Sequence, residues 1–268
     1  MNPSAIPYNQ KADGIYERHP ERNGSMSEKI KISFSANAGF SAVLPYGTVW
    51  IDALHDKNSA SFSSVSPELW KVLRSDPDFT GGTGKGPDII AFTHCHTDHF
   101  SSRMCREAKS IWPEARLILP ENYFPGQLLL KEERHEVTAG SLRLEFVKAR
   151  HSGRESGHNN YFINISYPGC SMLVSGDTSI SDETFSGYAG CHDTDVAFMT
   201  FSWLLFKKGR DVIGDIIRPK HLMITHLPFA SEDISGYGRA AAEGASKLKG
   251  IDDIRFLDTP FQKETIDI

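Results

Sequence analysis

The stretch "AFTHCHTDHF" (91–100) places His94, His96, Asp98 and His99 within six consecutive positions, directly behind the apolar run "DIIAFT". Imidazole and carboxylate suit zinc, and also iron or manganese. In an extended segment residues two apart project to one side, so His94 and His96 can reach one ion together. As the chain then turns into a helix, Asp98 and His99 can face a second ion a few ångströms away. Cys95 lies between two of these positions. The same alternation turns it away, toward the place of a buried thiol.

Four residues do not complete a site for two ions. His151 follows "LRLEFVKAR", Asp177 stands in "SGDT" behind "CSMLV", and His226 ends "HLMIT". Each is a ligand-type residue just past an apolar strand, where a site at a sheet edge would collect its groups. Taken singly, each also looks like a turn aspartate or a strand-end histidine; their order behind HxHxDH argues for ligands. Asp98 could orient the nucleophile or take its proton. His158, in "SGHNNYF", could donate a proton to a leaving group, although a loop histidine bonded to backbone has the same look. Lys148, Arg150 and Arg154 surround His151 and could hold an anionic substrate by charge-assisted hydrogen bonds. They could equally be a strand's solvated face.

The elements that must position these residues can be read from periodicity and punctuation. "KIKISFSANAGFSAVLPYGTVWIDAL" holds two or three short strands, with Pro45-Tyr46-Gly47 as a hairpin turn. "SPELWKVLRSD" opens a helix with Ser66 as N-cap and Pro67 at its first position. "DFTGGTGKGP" reads as loop. After the strand "DIIAFT" come the helix "SSRMCREAKSI" and the strand "ARLILP", then strand signals in "HEVTAGSLRLEFVKAR", "NYFINISY", "CSMLVSGDT" and "DVAFMTF". A helix over roughly 209–217, the strand "HLMITHL", a helix "GRAAAEGASKLK" and the strand "IRFLD" close the pattern, and "FSWLLF" (201–206) reads as core. Strands first, then strands alternating with helices, fit a layered α/β domain. Residues 29–268 read as a single domain and residues 1–28 as a polar extension.

The 268 residues carry a formal net charge of −5, which argues against a nucleic-acid or anionic-membrane binder. Four cysteines without a CxxC pair fit free thiols in a reducing compartment. No stretch approaches the apolar length of a membrane span, and the N-terminus lacks the apolar core of a signal peptide. A cytoplasmic location is the expectation, with homo-oligomers open.

HxHxDH followed by "ARHS", "SGDT" and "ITHL" resembles the metallo-β-lactamase-fold hydrolases over roughly residues 31–258. Within them the chain is similar to the stand-alone enzymes of the L-ascorbate-6-phosphate lactonase and N-acyl phosphatidylethanolamine phospholipase D kind. The resemblance implies a four-layer αββα sandwich with metals at one edge. It assigns His94, His96 and His151 to one ion, Asp98, His99 and His226 to another, and Asp177 to both. Two divalent cations are implied, zinc first, with manganese or iron as alternatives. The implied reaction is hydrolysis of an ester, lactone or phosphodiester-type small molecule by a metal-bridging hydroxide, and the basic residues around His151 would suit an anionic one. The alternatives are a mononuclear-iron or glyoxalase-like thioester enzyme on the same fold, or a metal-binding sensor without catalysis.

Overall fold

A computed structural model describes residues 29–57, 61–153 and 157–268. The N-terminal extension and Arg154 lie outside the described residues. The first sheet is built from β1 (Lys29–Ala36), β2 (Gly39–Leu44), β3 (Gly47–Ile51), β4 (Ile89–Ala91), β5 (Arg116–Leu119) and β6 (Leu128–Leu129). The second holds β7 (Arg134–Ala139), β8 (Leu142–Lys148), β9 (Tyr161–Tyr167), β10 (Cys170–Val174), β11 (Val196–Thr200), β12 (His221–Thr225) and β13 (Asp253–Phe256). A last strand, β14 (Lys263–Asp267), returns to the first sheet and pairs antiparallel with β1. The strand orders are β14-β1-β2-β3-β4-β5-β6 and β13-β12-β11-β10-β9-β8-β7.

Each sheet changes character partway across. β1 to β3 form an antiparallel meander, and β3 to β6 continue it in parallel. β7 to β10 and β10 to β13 repeat that plan. In consequence β1, β3 and β4 run one way in the first sheet, and β8, β10 and β12 run one way in the second. Their C-terminal ends gather at one edge of each sheet, so the loops behind them can meet.

Side chains alternate across strands, and here both faces are covered. In β11, Val196 and Phe198 enter the core between the sheets, while Ala197 and Met199 face the other way. Phe40 and Phe198 stack across the sandwich with ring centroids 4.0 Å apart. Outside the first sheet lie α1 (Pro67–Leu73), α2 (Pro77–Thr80) and α3 (Ser102–Ile111), whose Trp70, Phe79, Met104 and Cys105 pack around Trp50 and its neighbours. Outside the second lie α4 (Glu183–Ala189), α5 (Ser202–Leu205), α6 (Lys207–Asp211), a π-helical turn over Val212–Ile217, and α7 (Tyr237–Ala245). Phe185, Trp203, Leu204, Ile213 and Ala241 cover the sheet's outer face there. The layers are therefore helix, sheet, sheet, helix.

Several sequence expectations need correction. Asp78–Thr80 are helical, because Asp76 caps the Asp78 amide and Pro77 suits the first turn; only from Gly81 is the run a loop. The helix expected over 209–217 starts at Lys207 and passes into the π-helical turn. The last helix ends at Ala245, short of the expected Lys249. In "FSWLLF", Phe201, Trp203 and Leu204 are buried, whereas Leu205 and Phe206 are exposed. β14 went unread because "KETID" is too polar to announce a strand; its sheet edge requires only one buried residue, Ile266. Among the described residues no helix is long and apolar enough to cross a membrane.

Candidate metal centre

β4 ends at Ala91, and the chain continues through Phe92 and Thr93 to His94. From there it makes a tight turn, in which the amides of His99 and Phe100 donate to the His96 carbonyl. Ser101 then caps α3 by accepting from the Met104 amide. Strand, turn and helix cap thus fix four side chains in one loop. The second sheet supplies its three from separate strand ends. His151 follows β8, Asp177 follows β10, and His226 follows β12. A bridge between His151 and Thr178 ties two of these loops together.

The ligand atoms fall into three overlapping groups, each within 4.8 Å: His94, His96 and His151; His94, His99 and Asp177; and Asp98, His99 and His226. Asp177 sits between the others. Its carboxylate lies 3.4 Å from His151 Nε2, 3.5 Å from His226 Nε2, 3.6 Å from His99 Nε2 and 3.9 Å from His94 Nε2. Asp98 stands 3.5 Å from His226 Nε2. The Nε2 atoms of His94, His99, His151 and His226 are buried and make no hydrogen bond. Four buried nitrogens without partners would be costly in a finished polar network. Two donors each about 2.0–2.2 Å from a shared cation stand roughly 3–4 Å apart, and the observed separations match that spacing.

Electrostatics lead to the same conclusion. Burial holds His94 well below the ordinary histidine range, with His99 adding to the effect, and burial also lowers His96. Neutral imidazoles of this kind keep the lone pair a metal needs. For Asp177 burial works against ionisation, but His226 and His99 outweigh it and hold the carboxyl well below its usual value. Asp98 is likewise lowered against burial, chiefly by His226. Burial would depress His226, yet Asp177 and Asp98 lift it to about 10. Two half-buried carboxylates among buried imidazoles demand positive charge, which a cation can supply in place of protons.

A layer of residues that sequence reading missed stands behind these side chains. Asp52, just past β3, accepts from the Thr93 amide at 2.8 Å and the Thr93 hydroxyl at 2.6 Å, and lies 2.9 Å from His99 Nδ1. The Thr93 hydroxyl is also 3.0 Å from His94 Nδ1. Carboxylate contacts of this kind fix ring orientation and leave Nε2 for the ion. Asn37, behind β1, donates to the Asp98 carbonyl at 3.0 Å and accepts from the His226 amide at 2.8 Å. Asn37, Asp52 and His226 all have left-handed backbones, with φ of 51°, 48° and 61°. Such conformations cost energy for residues with a Cβ and persist where surrounding contacts impose them. Gly176 precedes Asp177 at φ 49°, and a Cβ there would come within 2.7 Å of the Thr93 side chain. Asp52 carries the same signal as Asp177, an acidic residue just past an apolar strand, and that signal could have found it.

The remaining candidates sit outside this cluster. His158 is half-buried, its ring 4.7 Å from that of His96, and its Nδ1 is 2.6 Å from Glu121 Oε1. Lys148 pairs with Glu133 at 3.4 Å, and the exposed Arg150 donates to Ser181 Oγ; neither has a described contact with the ligands. Cys95 is buried and turned from the histidines, and burial pushes its thiol pKa strongly up.

No family model and no curated protein matches the sequence. The structure, in contrast, is similar to several solved ones. The metallo-β-lactamase fold protein YhfI from Bacillus subtilis aligns over 90% of this chain and 100% of its own, at TM-score 0.60 and 14% identity. Igni18, a metallo hydrolase from the archaeon Ignicoccus hospitalis, aligns over 90% and 99% at TM-score 0.58 and 15% identity. CmlA, a diiron β-hydroxylase from Streptomyces venezuelae, aligns over 91% of this chain but 55% of its own length, at TM-score 0.58 and 11% identity. With its two mixed sheets enclosed by helices, the chain has the metallo-β-lactamase fold.

Proposed function

We propose that this chain is a metal-dependent hydrolase that holds two divalent cations, zinc first, and cleaves an ester, lactone or phosphodiester-type bond in a small molecule. One observation carries the reading: four buried, unpartnered imidazole nitrogens converge on the carboxylates of Asp177 and Asp98 at 3.4–3.9 Å. His94, His96 and His151 would hold one ion, Asp98, His99 and His226 the other, and Asp177 both. Cations bound there lower the pKa of water and polarise a carbonyl or phosphoryl oxygen. The chain's own contribution is orientation and proton handling. Asp52 and Thr93 fix the rings of His99 and His94, and Asp98, kept anionic, can accept a proton from the nucleophile. His158, whose ring lies 4.7 Å from that of His96, could protonate a leaving group.

A second reading, iron-dependent oxygen chemistry, draws on the fold shared with a diiron β-hydroxylase. His96 supports the hydrolytic reading, since flavodiiron relatives on this fold typically carry a glutamate there. Elemental analysis of the purified protein, paired with a hydrolysis screen over lactones, phosphodiesters and thioesters, separates the two. About two zinc or manganese ions per chain with turnover is the expected result. His96→Ala should then lose metal and turnover together. Iron alone, with no hydrolysis of any class, would overturn the proposal.

A further inference from the structure

The two flanks of the metal centre differ in chemistry. Beside His96 lie His158 and Glu121, both polar. Beside His226 lie aromatic rings: Phe62 meets the His226 ring edge-on at 4.3 Å, and Tyr237 stacks near-parallel on Phe62 at 5.9 Å and on Phe201 at 4.8 Å. Phe201 is buried, while Phe62 and Tyr237 remain half-exposed.

Both half-buried rings stand on anchored backbone. Ser63, next to Phe62, is buried; its hydroxyl donates to Glu232 Oε2 at 2.5 Å and accepts from the Phe229 amide at 2.8 Å. Tyr237 opens α7, where the Asp233 carboxylate accepts from the Tyr237 amide at 2.9 Å and from the Gly238 amide at 2.8 Å. A single half-exposed aromatic is ordinary. Two rings on anchored backbone, one of them against His226, form an apolar wall beside the cluster of candidate ligands. An apolar wall with a few polar groups opposite is the usual build of a small-molecule pocket.

The geometry points to a substrate that carries an apolar group of aryl size beside its scissile bond, seated on Phe62 and Tyr237, with its more polar end toward His158. This deepens the proposed hydrolase reading and rests on its metal centre. Phe62 and Tyr237 are then specificity-determining residues that play no part in holding the ions.

The test uses binding to the metal-loaded full chain, so that it does not depend on knowing the substrate. Benzohydroxamate and acetohydroxamate share a metal-chelating head and differ in the group beside it. Calorimetry on the unaltered protein should show benzohydroxamate binding about tenfold tighter or more, the worth of covering one ring. In Phe62→Ala and Tyr237→Ala most of that ratio should vanish, while acetohydroxamate affinity and metal content stay unchanged. Phe62→Leu, which keeps an apolar surface, should retain part of the ratio. Equal affinities in the unaltered protein, or a ratio untouched by Phe62→Ala, would overturn the wall and leave the metal centre standing. No binding of either hydroxamate would overturn both.

Discussion

The two sheets contribute to one centre in opposite ways. The first delivers four side chains from a single loop of six residues behind β4. The second delivers three, each from a different strand end and separated by 26 residues (151 to 177) and 49 residues (177 to 226) of chain. The first contribution is assembled by local geometry, in which extended residues alternate and a helix cap follows. The second exists only after β8, β10 and β12 have paired in the correct register. Asp177 nevertheless lies nearest the middle, so the dispersed half supplies the group that joins the cluster together.

That contrast can be tested by substitution. Asp177→Ala removes the carboxylate that four imidazoles face. Both ions should be lost in elemental analysis, and hydrolysis should fall on the order of a thousandfold. Retention of one ion with near-normal turnover would assign the chemistry to the first sheet's loop alone. A smaller effect is expected from acid acting on the first sheet. His55 is fully buried, its Nε2 lies 3.1 Å from the Ala36 carbonyl, and burial lowers its pKa from 6.5 to about 4. The unfolded chain therefore binds the proton more readily than the fold. The stability contributed by neutral His55 is complete above pH 6.5 and is lost as pH falls toward 4, by up to about 3 kcal/mol. Urea midpoints across that window should show the slope, and His55→Gln should flatten it.

Next in size is Asp52→Asn, which loosens the supports of His99 and Thr93 without removing a ligand. Metal affinity should drop by about 10–100-fold in a competition titration, and an unchanged affinity would mean that the loop positions itself. The smallest effect belongs to Lys148→Gln. Its ion pair with Glu133 is solvent-exposed, so stability should change by less than about 0.5 kcal/mol. Turnover should hold as well; a tenfold rise in KM would return Lys148 to the substrate.

The same contrast explains what could be read in the sequence. HxHxDH was legible because its spacing is local, and His151, Asp177 and His226 were legible as ligand-type residues at strand ends in a fixed order. The strands themselves were mostly plain from their apolar runs. Their division into two sheets was not, since pairing is non-local and β14 crosses the whole chain to reach β1. Asn37 was silent, as it acts through its backbone and amide on residues 61 and 189 positions away. Phe62 and Tyr237 were silent too, because nothing in "SFS" or "SGYG" says that the two rings will meet at His226.

The left-handed residues around the centre bear on how such a protein can be improved. A search for robustness would single out Asn37, Asp52 and His226, since glycine adopts their backbone angles without penalty. Each such replacement would ease the local backbone and at the same time remove a side chain that lines or braces the proposed metal centre. Durability and competence are therefore opposed at these three positions, and variants selected only for heat resistance should drift toward inert proteins by this route first.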